Sequence, residues 1–173
     1  MASSPTERQT PEHEHLYVIP LDGSPWRELL DVDNGGFTGV WSPDGRTFAI
    51  GTSICPSGSH MPRCDPAESK TSLGTVAVAG GVPTTFADLT GYFDITWSPD
   101  GHRIAYRAND GIYVVSADGT GTVKLADGDS DRVVWSPDGQ WLLFSRGRSE
   151  LWIVPAAGGE PHKIGTEYAG AAW

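Results

Sequence analysis

The side chains best suited to chemistry crowd into one short segment: Cys55, His60, Cys64 and Asp65 stand within TSICPSGSHMPRCDPAESKTS, residues 52–72. Cys55 and Cys64 are the two cysteines of the chain, and with His60 they are spaced C-x4-H-x3-C. Three readings fit. A disulfide would staple a loop that has no core of its own, in a compartment outside the cytosol. A reduced pair would be two thiols with no special role. A zinc site would take Cys55, His60 and Cys64, with Asp65 adjacent, and would need help from His13 or His15 because zinc wants four ligands. The disulfide is the expectation, with the other two left open.

Other candidates are weaker. DGDSD at 127–131 and LDVDNGG at 30–36 place carboxylates at alternate positions, a pattern that can collect calcium. The full calcium loop with its terminal Glu is absent, so loop solvation and turn capping account for both, and no metal or cofactor is assigned. Among the histidines, His102 follows a turn and should face solvent, and His162 falls in an outer strand region. No G-x-S-x-G nucleophile elbow occurs. No catalytic residue is expected, and the chain reads as a non-enzyme.

Bulk properties narrow the partners. A net charge of −10 with 12 scattered Lys and Arg disfavours a phosphate backbone or an anionic membrane surface. The N-terminal MASSPTERQTPEHEH is polar throughout and resembles no signal peptide, and residues 1–15 read as a disordered tail. No stretch is long and apolar enough to span a bilayer.

The elements that must position these residues are repeats. WSPDG occurs at 41–45, 97–101 and 135–139, and Trp97, Trp135 and Trp173 are 38 residues apart, whereas Trp41 and Trp97 are 56 apart, an excess of 18. A period near 40 with four short strands per unit is the pattern of propeller blades. From Phe93 the unit reads FDITW, a turn, HRIAYR, a turn, IYVVS, a turn and TVKLA. The turn has a local reason at Pro43, Asp44 and Gly45, and at Pro99, Asp100 and Gly101 and Pro137, Asp138 and Gly139. Proline pre-sets φ, aspartate bonds the nearby backbone, and glycine accepts the left-handed conformation. Trp41, Trp97 and Trp135 sit at strand ends and are expected to cover the gap between neighbouring sheets. The fold class is therefore all-β, a partial β-propeller of four-stranded antiparallel blades. A half blade is expected at 16–30, complete blades at about 37–87, 93–126 and 132–165, and the first strand of a further blade at 168–173.

The WSPDG signature, the LYVI, IYVV and LWIV strands and the DG or GG that follows resemble the propeller repeat of the TolB family, from Leu16 to Trp173. The resemblance implies a ring usually of six blades, about 24 strands by the four-per-blade rule. The chain supplies fewer, and it stops one residue into a fourth copy of the motif. A fragment of a longer protein is the expectation, against copies that complete one another or a four-bladed closure joining 168–173 to the half blade. The resemblance further implies a non-catalytic, TolB-like module that binds a protein partner, outside the cytoplasm. Its alternative is the substrate-gating propeller of a prolyl-oligopeptidase-like serine peptidase whose hydrolase domain lies elsewhere.

Overall fold

The computed structural model describes residues 13–33, 35–55, 70–89, 94–128, 130, 132–147 and 149–166. All regular structure among them is β, in one two-stranded and three four-stranded antiparallel sheets. With no helix among the described residues, none is long and apolar enough to cross a membrane. The two-stranded sheet is β1 (His13–Val18) with β2 (Arg27–Asp33). The first full sheet is β3 (Gly35–Trp41), β4 (Thr47–Ile54), β5 (Lys70–Ala77) and β6 (Thr84–Leu89). The second is β7 (Ile95–Trp97), β8 (Arg103–Ala108), β9 (Gly111–Ser116) and β10 (Val123–Asp127). The third is β11 (Val133–Trp135), β12 (Trp141–Arg146), β13 (Glu150–Pro155) and β14 (His162–Thr166). Each is a meander in which strands pair in sequence order, the all-β blade architecture that the 38-residue period predicts.

The WSPDG turn explains why each sheet begins as it does. In the second sheet the Gly101 N–H donates to Ser98 O at 2.9 Å, closing a four-residue turn with Pro99 and Asp100 at its centre. Gly101 then takes φ +72°, a conformation that costs other L-residues energy, and its counterparts Gly45 and Gly139 both take +68°. The serine locks the turn from inside. Ser98 Oγ donates to Asp100 Oδ1 at 2.5 Å and accepts from the Arg103 N–H at 2.9 Å, while Asp100 Oδ1 also accepts from the His102 N–H. The same bonds recur around Ser42 and Asp44 and around Ser136 and Asp138.

The core lies between sheets. Successive side chains of a strand point to opposite faces, so Phe48 and Ile50 pack towards the half blade while Ala49 packs towards the second sheet. Likewise Ile104 belongs to the core shared with the first sheet and Ala105 to the core shared with the third. The first strands converge, β7 packing against β3 and β11 against β7. Trp97 and Trp135 cover the gaps between blades, 7% and 5% exposed, and each indole N–H donates to the blade before it, at Val40 O (3.0 Å) and Thr96 O (3.2 Å). Arg103 reaches from the second sheet to Gly139 O and Ala156 O and lies 4.7 Å over the Trp135 ring.

Three boundaries differ from the sequence reading. β1 starts at His13, so residues 13–15 belong to the half blade and not to a disordered tail; His13 and His15 pair with Asp33 and Asp31 across the ladder, polar pairs that carry no apolar alternation. β2 runs to Asp33, which places most of 30–36 in strands rather than in a loop. The irregular segment is shorter than 52–72, because Thr52, Ser53 and Ile54 pair with Ser72, Thr71 and Lys70. The strand expected at 168–173 lies outside the described residues.

Candidate functional site

Among the described residues, the half blade gathers a cluster of histidines and carboxylates. In the β1–β2 ladder His13 stands opposite Asp33 and His15 opposite Asp31, and a register shift between Leu16 and Tyr17 brings Tyr17 opposite Glu28. Alternation puts His13, His15 and Tyr17 on one face, while Leu16 and Val18 turn to the core shared with the first sheet. His13 Nδ1 is 2.9 Å from Asp31 Oδ1 and 2.7 Å from Asp33 Oδ1. His15 Nδ1 is 3.4 Å from Glu28 Oε2 and 3.8 Å from Asp31 Oδ1. The two imidazoles stack at 5.9 Å between centroids, and Tyr17 follows 5.8 Å from His15. The hydrogen bond to Asp31, aided by the charges of Asp33 and Asp31, raises the His13 pKa above its ordinary value. One ligand atom each from His13, His15 and Asp31 fits within 4.8 Å, so these three could hold a metal ion.

Leu30 and Val32 of β2 form one wall of a groove of about 450 Å³, and Ile50, Thr52 and Ser72 form the other. The groove thus separates the half blade from the first full sheet. Arg27 bridges the same two sheets by donating to Val78 O.

The remaining sequence candidates are dispersed. Cys55, at the end of β4, is 1% exposed and disulfide-bonded, while Cys64, His60 and Asp65 lie outside the described residues. His102 and His162 are exposed, His102 beside its turn and His162 at the start of outer strand β14. Asp127 ends β10 and pairs with Lys124 at 2.8 Å; Asp129 and Asp131 lie outside the described residues. Trp41 departs from its two counterparts. It is 46% exposed, edge-on to Phe48, and among the described residues the half blade before it offers no counterpart of β3, β7 or β11 to receive its indole N–H. Sequence reasoning used His13 and His15 only as helpers for a distant cysteine site and missed the cluster they build with β2. The H-x-H spacing opposite D-x-D was the available signal.

These features define a partial β-propeller, and comparison with known proteins places it. No family model matches the chain. It is 28% identical over 170 residues to the uncharacterized protein Atu1656 of Agrobacterium fabrum, covering 91% of this chain and 54% of that protein. It is 26% identical over 137 residues to the uncharacterized peptidase YuxL of Bacillus subtilis, covering 78% of this chain and 18% of that one. The chain therefore spans about half of one curated relative and under a fifth of the other. Among solved structures, an oligogalacturonate lyase of Vibrio parahaemolyticus superposes with TM-score 0.64 at 14% identity, covering 88% of this chain and 48% of the lyase. A chain of a nidogen–laminin complex gives 0.60 at 17% identity, with 82% and 52% covered. An acylaminoacyl peptidase gives 0.51 at 11% identity, with 94% and 32% covered. Such likeness shows the fold and no chemistry.

Proposed function

We propose that this chain is the propeller portion of a larger serine peptidase of the prolyl-oligopeptidase type, where the blades control access of substrate and the reacting groups lie in a separate domain. The observation that carries the reading is the match to YuxL, a peptidase of which this chain corresponds to less than a fifth. The likeness of fold to acylaminoacyl peptidase supports it. The disulfide at Cys55 supports an oxidising compartment for the protein.

A second reading rests on a different observation. Atu1656 matches over 91% of this chain, and this chain spans 54% of it, which leaves room there for further blades. On that reading the ring is a non-catalytic module, six-bladed and TolB-like, that binds a protein partner. The test is to express the whole reading frame that contains this chain and treat it with a fluorophosphonate probe. Labelling of a serine outside residues 1–173, with cleavage of long peptides gained when the propeller is deleted, supports the peptidase reading. A whole protein that takes no label and carries no hydrolase domain overturns it in favour of the binding module.

A further inference from the structure

We propose that His13, His15 and Asp31 bind a first-row divalent cation of the zinc class on the outer face of the half blade, with Asp33 or Glu28 completing the set. The inference is independent of the peptidase reading. It begins with a count of hydrogens. The Nδ1 of an imidazole carries at most one, so it can donate one good bond, yet two carboxylate oxygens lie within 2.9 Å of His13 Nδ1, Asp31 Oδ1 and Asp33 Oδ1. A cation shared among the three groups satisfies them all, which a single proton does not.

The backbone supports the same conclusion. Histidines at i and i+2 of a strand project from one face, and the antiparallel register sets Asp33 and Asp31 directly opposite them. The ligand atoms of His13, His15 and Asp31 lie within 4.8 Å of one another. Metal–ligand bonds of about 2.0–2.1 Å in a tetrahedral site hold ligand atoms roughly 3.4 Å apart, so rotation of these exposed side chains brings them into place with the ladder unmoved. Two imidazoles with carboxylates suit zinc, cobalt, nickel or copper, whereas calcium and magnesium prefer sites made of oxygen alone. Glu28, Asp31 and Asp33 set three carboxyl groups beside the two imidazoles.

The site would tie β1 to β2, the two-stranded sheet among the described residues. A two-stranded ribbon has little stability of its own, and a metal that binds only the folded hairpin holds it closed. The test uses the chain free of any affinity tag, stripped with EDTA, then titrated with zinc chloride by calorimetry and with cobalt(II) by visible absorption. The expected result is one equivalent per chain and the intense cobalt bands of a tetrahedral site. The near-isosteric Asp31→Asn, with an unchanged circular dichroism spectrum, should weaken binding by at least the roughly tenfold that loss of an outlying partner of a metal ligand costs. The His13→Ala/His15→Ala pair should abolish it. No binding at millimolar zinc overturns the proposal, as does an affinity unchanged in the double variant, since the metal would then sit elsewhere.

Discussion

Ser98 shows how much of the architecture rests on single hydroxyls. It is fully buried, donates to Asp100 and accepts from the Arg103 N–H, and Ser42 and Ser136 do the same in their blades. Ser98→Ala would strand a backbone donor at the start of β8 and cost about 1–3 kcal/mol, which thermal denaturation should register as a lower Tm. The same bonds give the turn a pH dependence. The Ser98 hydroxyl first, then the His102 N–H, hold the Asp100 carboxyl below its ordinary 3.8, and Asp44 and Asp138 are lowered by the equivalent groups. A carboxyl depressed in the folded state contributes stability that is fully present above its unfolded pKa and is lost as pH falls through the folded value. Asp100→Asn should therefore melt below wild type at pH 7, and the gap should narrow as pH drops past 3.8 towards 2. A gap that stays constant across that range would remove the ionised carboxylate from the explanation. The proline, aspartate and glycine of this turn were legible in the sequence because their roles are local. The serine was not, since its bond to Arg103 exists only after the hairpin has folded back over five residues.

At the scale of strands, legibility followed hydrophobic pattern. IYVVS and LWIVP announced β9 and β13, whereas the distal ends of β4 and β5 went unread because hydroxyls pair across them, Thr52 with Ser72 at 2.8 Å and Ser53 with Thr71 at 2.9 Å. The histidine–carboxylate cluster was hidden for the same reason: β1 opens with three polar residues, and only the register sets His13 and His15 opposite Asp33 and Asp31. The extended β4–β5 hairpin ends at the disulfide-bonded Cys55. Reduction should lower stability by about 2–4 kcal/mol and speed proteolysis within residues 55–70, read by mass spectrometry of limited digests; an unchanged digest would show that the hairpin holds without the bridge. Between blades, Arg103 donates to the carbonyls of Gly139 and Ala156 in turns of the third blade and stacks on Trp135. Arg103→Lys should lose about 1–3 kcal/mol in urea denaturation, because an ammonium reproduces neither the planar fork nor the stacking. Wild-type stability in that variant would show the clamp to be dispensable.

For the whole molecule, stability is a property of neighbours. Among the described residues, three apolar cores join four sheets in series, so each of these sheets is buried by the ones beside it and none has a core to itself. The repeat spacing made that arrangement legible; the particular protein in which the blades work was not, since blade residues serve packing whatever the ring is used for. One consequence of the serial arrangement is optical. Trp97 and Trp135 are sealed against the preceding blade, whereas Trp41 is the equivalent indole facing a blade with two described strands. Trp41 is therefore a natural lamp at the seam. Strands that dock there would exclude water from its ring, shifting its emission to the blue and shielding it from acrylamide, and the difference between wild type and Trp41→Phe would report that docking in real time.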